Sequence, residues 1–340
     1  MITTPGDVVE QKSAARPGSA FRVRPQHMSV LATLVLLVIM FGWGAQRYNH
    51  FGSTQVVANL FISNAALLVV AVGMTFVILT GGIDLSVGAV VALTSLLLAS
   101  MTENLHWPAF VAIPLVLLFG ALLGALMGAI IHFFEIQPFI VTLAGMFFAR
   151  GLSTVISTDR IAIRNKFLVR MGESKIHLAR GTHVAPSVII AVVVVAVAAY
   201  ILYATRFGRT VYAVGGSEDS AVLMGLPVAR TRILVYTVSG FCSALGGLLF
   251  ALNLLSGNPL HGQGLELDAI AAVVIGGALL TGGVGYVFGT VLGVLVVGLI
   301  STLIQFDGTL SSWWSRIVVG GLLLVFILLQ RAVTAAGRRR

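Results

Sequence analysis

An all-α integral membrane fold of about ten transmembrane helices is what this sequence predicts, and three observations carry that reading. Hydrophobic residues make up 58% of the 340-residue chain and charged residues only 10%, against roughly a quarter charged in ordinary soluble domains. Mean hydropathy is +1.01, more apolar side chain than a soluble core can absorb while its surface stays polar. The apolar residues also fall into runs near the ~20 residues that cross a bilayer as a helix. The 38 glycines suit helices that pack closely without a hydrophobic drive between them. The single cysteine, Cys242, excludes an intrachain disulfide and reads as an inert small hydrophobe inside an apolar run.

Residues 1–27 form a polar tail carrying Lys12, Arg16, Arg22 and Arg24. The run from Met28 to Ala45 is too long for a signal-peptide core and no small-residue cleavage site follows it, so it is predicted as an uncleaved first span. Further apolar segments run from Val56 to Leu79, Leu85 to Met101, Pro108 to Ile131, Pro138 to Ile156 and Ala185 to Ala204. The second half offers Ile233 to Leu255, Ala269 to Leu280, Val284 to Ile304 and Trp313 to Leu329. The third and eighth are short for a full crossing and are bounded by Gly-Gly pairs, which predicts broken or re-entrant helices there. The membrane-spanning region so defined covers 28–331, with a polar cytoplasmic loop at 205–232 and a basic C-terminal tail at 332–340.

Charge predicts the orientation. With both termini cytoplasmic, the inside holds Lys12, Arg16, Arg22, Arg24, Arg206, Arg209, Arg230, Arg232, Arg331 and Arg338 to Arg340. The outside holds Arg47 and, in one long loop, Arg160, Arg164, Lys166, Arg170, Lys175 and Arg180. The excess of Lys and Arg inside favours this topology, although that basic loop runs against it. The net charge of +9 therefore speaks to membrane orientation and gives no reason to invoke nucleic acid.

The run Thr80-Gly81-Gly82-Ile83-Asp84-Leu85-Ser86-Val87-Gly88 recurs loosely as Thr281-Gly282-Gly283-Val284-Gly285-Tyr286-Val287-Phe288-Gly289. Glycine-interrupted apolar segments at matching positions in two halves point to a translocation site in transporters. Two readings stand: broken helices at a solute path, or tight turns that need glycine for positive φ. Asp84 likewise has two. An intramembrane carboxylate is costly and tends to be functional, which would set Asp84 and Ser86 along the path. It also stands where a cap would start the helix from Leu85. Gly120, Gly124 and Gly128, and again Gly285, Gly289 and Gly293, recur four apart, the spacing of close helix packing; pore lining is the other use of such a stripe.

Between Arg206 and Arg232, Ser217 followed by Glu218 and Asp219 has the pattern of a capped helix start. Gly225 and Pro227 stop that short helix. A short projecting helix is a handle for a soluble partner, or a plain connector. No G-x-x-x-x-G-K-[ST] occurs in the sequence, so the chain carries no P-loop nucleotide site.

Several stretches together have a familiar character: VGMTFVILTGGIDLSVG at 72–88, QPFIVTLAGMFFARG at 137–151, RFGRTVYAVGGSEDSAVLMGLPV at 206–228, ELDAIAAVVIGGALLTGGVG at 266–285 and FDGTLSSWW at 306–314. On these the chain resembles permease subunits of ribose-type sugar ABC importers, within the branched-chain amino acid and ribose permease superfamily, and most closely the galactofuranose-type permease. The resemblance implies a multi-pass protein of the bacterial inner membrane. It further implies an ATP-binding cassette partner that uses the ATP, a second and different permease subunit, and an extracytoplasmic sugar-binding protein. It makes the 217–225 segment a coupling helix, so Gly215, Gly216, Ser217, Glu218, Asp219, Met224 and Gly225 become the expected contacts to the ATPase. No cofactor is expected on the chain itself.

Sugars are held by aromatic faces and convergent hydrogen-bonding groups, which nominates Asn59, Asn64, Asp84, Ser86, Phe147, Arg150, Trp313, Trp314 and Arg316 as substrate-pathway residues. Tryptophans at a span end also serve as interfacial anchors, and both arginines can snorkel. The broken-helix glycines are Gly81, Gly82, Gly282 and Gly283. The seven histidines are scattered without metal-ligand spacing, and no catalytic constellation can be assembled, so an enzyme is not expected. A branched-chain amino acid permease and a stand-alone secondary transporter are the rival transport readings.

Overall fold

Long apolar runs with few interior polar groups can satisfy their backbone in a bilayer only by forming helices, and helices dominate the computed structural model, which describes residues 25–179, 181–311 and 313–338. In chain order they are α1 (Pro25–Arg47), α2 (Thr54–Leu79), α3 (Val87–Ala99), α4 (Ala109–Phe133), α5 (Pro138–Ile156), α6 (Lys166–Glu173), α7 (Pro186–Ala204), α8 (Arg206–Gly216), α9 (Glu218–Leu223), α10 (Val228–Leu254), α11 (Leu265–Ile275), α12 (Val287–Asp307) and α13 (Trp313–Arg338). A π-helical turn, Ser100–Asn104, prolongs α3. The tail residues Lys12, Arg16, Arg22 and Arg24, together with Arg180, Arg339 and Arg340, lie outside the described residues.

Among the described residues nine helices are long and apolar enough to cross a membrane, against the expected count of about ten. The missing one is the eighth apolar segment. Its helix, α11, has 11 residues, about 16 Å at 1.5 Å per residue, roughly half a hydrocarbon core. Helix formation stops at Ile275 because Gly276 and Gly277 follow, the latter with φ +97°. The third segment is longer than expected, since the π turn carries it to Asn104. The polar stretch 205–232 is also more ordered than a loop, being largely α8 and α9.

The helices α2, α3 and α10 form the centre, with α4 along α10 and with α11 and α12 on the far side of α2. Few residues in the windows of α1, α5, α7 and α13 are buried, as expected of helices facing lipid or another subunit. The small-residue stripes are packing seams. Gly120, Gly124 and Gly128 abut α10, where an added Cβ would meet the Gly240 carbonyl oxygen, the Tyr236 carbonyl oxygen and the Ile233 Cα at 2.7, 2.1 and 2.9 Å. Gly289 and Gly293 press in the same way on the carbonyls of Gly276 and Ala272.

The end of α11 is closed by other helices. Gln330 of α13 donates through Nε2 to the carbonyls of Val274 (3.1 Å) and Ala278 (3.3 Å), and Thr33 of α1 donates to that of Ile275. Orphan C-terminal carbonyls in an apolar interior would each cost several kcal/mol if left bare. Two short antiparallel pairs, β1 (Ile161–Ala162) with β4 (Ser256–Gly257) and β2 (Ile176–Ala179) with β3 (Thr182–Val184), tie the long loop to the α10–α11 connection and to itself.

Candidate functional site

Asp84 is completely buried. Its Oδ1 accepts from the Ser86 amide (2.9 Å) and the Ser86 hydroxyl (2.6 Å), and its Oδ2 accepts from Ser239 Oγ of α10 (2.6 Å). The chain reaches this geometry because Gly81, at φ +77°, turns it out of α2. Gly82 then passes so close to Tyr236 that a Cβ would stand 2.4 Å from the phenol oxygen. In this conformation Asp84 and Ser86 therefore face α10 and each other, and the carboxylate bridges the start of α3 to α10.

The other residues expected along a solute path are dispersed. Asn59 accepts from Gln55 Nε2 (2.7 Å) near the N-terminal end of α2. Asn64 bonds the Leu60 carbonyl (2.8 Å) and fills the space left by Gly298. Phe147, Trp313 and Trp314 are exposed. Arg150 and Arg316 are brought to one place, the connection from α10 to α11.

That connection dips along α3. Gly257 lies against Ser95 and Leu96, while Gly262 lies against Gly88 and Val91. From Ser95 back to Gly88 the drop is about 10 Å along the helix. An αL residue, Leu255 with φ +44°, starts the descent, and Gly262 and Gly264, with φ +65° and +83°, end it. Arg150 of α5 holds the descending chain through Nη1, donating to the carbonyls of Pro259 (2.7 Å) and His261 (3.0 Å). Arg316 of α13 donates to the Gln263 carbonyl (3.2 Å) and lies 5.1 Å over the Trp313 ring. At the bottom, Glu266 and Asp268 occupy the first turn of α11. Glu266 fits only because Gly88 lacks a Cβ, which would stand 2.2 Å from its Oε2. Arg150 faces Glu266 and Arg316 faces Asp268 within electrostatic range; among the described residues neither pair is within 4.0 Å, where only Arg232 and Glu218 form an ion pair.

Beside this dip a cavity of about 240 Å³ lies between α11, α12 and α13, with Asp268, Ser301, Gln305, Ser315 and Arg316 on its polar side. Glu266, Asp268, Ser301 and Gln305 were not among the residues singled out from sequence. Two carboxylates inside an apolar run were the signal available for the first two; nothing local marks Ser301 or Gln305. Replacing Arg150 with methionine removes two hydrogen bonds from a charged donor, each worth about 1.5–3 kcal/mol. Hydrogen exchange of residues 258–264 is expected to rise at least tenfold, and unchanged exchange would show that Arg150 does not hold the dip.

At the opposite end the two repeats meet each other. The Gly283 amide donates to the Leu79 carbonyl (2.9 Å), and an added Cβ on Gly282 would lie 2.8 Å from the Gly81 amide nitrogen. The end of α8 joins them: a Cβ on Gly215 would stand 1.8 Å from the Leu79 oxygen and 2.5 Å from the Gly283 nitrogen. Gly81, Gly215, Gly282 and Gly283 thus meet backbone to backbone, a close approach that side chains there would obstruct. Beyond this junction Ser217 caps α9 by accepting from the Ser220 amide (3.2 Å), and Gly225 at φ +72° ends the turn after it. Glu218 is anchored by Arg232 at 2.5 Å. Val222, Leu223 and Met224 are left exposed, Leu223 at 88%; an apolar tip on an otherwise polar element suits a protein surface.

A bundle of apolar helices with a half-helix, a charged dip at one end and a projecting helix at the other is a membrane permease. Residues 56–327 match the family described as branched-chain amino acid transport system / permease component, and the chain belongs to that family. It is 42% identical to the inner membrane ABC transporter permease protein YjfF of Escherichia coli, over 93% of this chain and 95% of that one. It is 42% identical to the fructose import permease protein FruG of Bifidobacterium longum (94% and 96% covered). With the ribose import permease protein RbsC of Haemophilus influenzae it shares 38% identity (89% and 92%). No solved structure matches the chain.

Proposed function

We propose that this chain is the membrane-spanning permease subunit of an ATP-driven importer for a monosaccharide. The observation that carries the reading is its end-to-end likeness to fructose and ribose import permeases. The charged dip at Arg150 and Arg316 supports a polar solute. A galactofuranose-like sugar is the specific cargo we favour, on the TLAGMFFARG and FDGTLSSWW stretches.

In this reading both termini are cytoplasmic in a bacterial inner membrane, and a sugar-binding protein delivers cargo to the outer side. An ATP-binding cassette protein docks on α9, using Ser217, Glu218, Asp219, Met224 and Gly225, with Gly215 and Gly216 behind them. A second, different permease covers the exposed face of α5 around Phe147. The geometry supports α9 as the docking point because Leu223 and Met224 are exposed while the Gly215 end of α8 is locked to both repeats.

The test is reconstitution in liposomes with the candidate partners. Sugar-loaded binding protein is expected to stimulate ATP hydrolysis several-fold and to drive uptake of labelled sugar. Ion-driven uptake by the chain alone, without stimulation, would overturn the reading. Leu223→Asp should abolish the stimulation, because it places a charge in the apolar tip.

A further inference from the structure

We propose that the cavity between α11, α12 and α13 is a solute-binding site that sets which monosaccharide is accepted, with Asp268, Ser301, Gln305 and Arg316 as its contacts; this rests on the sugar-import reading above. Four observations lead there.

Size is the first. At about 240 Å³ the cavity falls below the ~300 Å³ at which pockets for drug-sized ligands begin, so it suits a single small ring. The second is position. The lining runs from Gln305, near the end of α12, down to Val297, two turns or about 12 Å deeper. It therefore leads from the mouth of the bundle to the first turn of the half-helix α11.

The third is the charge arrangement. Asp268 and Arg316 face one cavity from two helices, yet no ion pair closes between them within 4.0 Å. Arg316 stays exposed and Asp268 is only partly buried, so both charged groups remain open to a ligand. A hydroxylated ligand can accept from the guanidinium and donate to the carboxylate at once, as hydroxyl groups do both.

The fourth is the neutral lining. Ser301 and Gln305 add hydrogen-bonding groups on the α12 wall, on the same helix face as the apolar Val297, and Val319 adds an apolar position on the α13 wall. A sugar ring presents hydroxyls on its rim and C–H groups on its face, and so matches such a mixed wall. A branched-chain amino acid could use the Asp268–Arg316 pair but would present only hydrocarbon to Ser301 and Gln305, and a site that hydrogen-bonds hydroxyls discriminates against a ligand lacking them.

The experiment uses the assembled importer in liposomes and measures uptake of D-ribose, D-fructose, D-galactose and L-leucine. Ser301→Ala and Gln305→Leu are each expected to raise KM for the transported sugar about tenfold, the equivalent of ~1.4 kcal/mol, and to change the ratio between sugars. A second readout guards against loss of folding. Ser301→Cys provides a thiol at the cavity, whereas the native Cys242 is buried, and the transported sugar is expected to slow labelling of the new thiol at least fivefold. Unchanged sugar ratios together with labelling indifferent to sugar would overturn the site while leaving the importer reading intact. Leucine uptake in place of sugar uptake would overturn both.

Discussion

Gly215→Ala is expected to cut ATP-driven uptake at least a hundredfold and to lower stability by about 2–6 kcal/mol. The added methyl would stand 1.8 Å from the Leu79 carbonyl oxygen and 2.5 Å from the Gly283 amide nitrogen. Both are backbone atoms, so no side chain can swing aside. Relief requires α8 to withdraw from both repeats and the Gly283-to-Leu79 hydrogen bond to open. Overpacking of this kind costs about 1–3 kcal/mol and the orphaned amide and carbonyl a similar amount. The adjacent Gly216 is the control, since an added Cβ there meets nothing within 4 Å. Gly216→Ala should leave the thermal unfolding curve where it is, and two equal curves for the neighbouring variants would refute the junction as described.

Asp84→Ala carries the second large effect, a loss of about 3–5 kcal/mol. The substitution strips partners from the Ser86 amide, the Ser86 hydroxyl and the Ser239 hydroxyl at once, all in a fully buried site. Removing one member of a buried charged network leaves the others desolvated and unpaired. Asp84→Asn keeps an acceptor of the same shape and should recover about half of the loss. Equal unfolding temperatures for the alanine and asparagine variants would show that the network does not hold α3 to α10.

Much of this was legible in the chain because bilayer physics writes itself in long runs. Helix boundaries in α2, α4, α5 and α7 lie within a few residues of the apolar segments. The capped start of α9 at Ser217 and its stop at Gly225 follow from local chemistry that needs no tertiary partner. The repeat around Thr80 and Thr281 was visible as well, but not that its copies touch or that Gly215 completes the contact. Such a meeting is set by how separate helices cross. Asp84 illustrates the same limit: a capping carboxylate and a path-lining one have identical local sequence, and its bond to Ser239, 155 residues away, leaves no mark near it in the chain. The dip at 255–264 was missed for a different reason. Its descent is held by Arg150 and Arg316 through backbone carbonyls, which exist at every position and leave no trace in residue type.

The glycine seam between α4 and α10 has a mechanical consequence. With Gly120, Gly124 and Gly240 in backbone contact, no layer of flexible side chains separates the two helices, so sliding or tilting one against the other meets hard atoms at once. They form a single beam, to which α2 and α3 are fastened through α10. Whatever movement alternates access must then pivot around this beam rather than within it. Around it, α5 and α13 are among the least buried of the long helices, and they carry the two arginines that grip the dip.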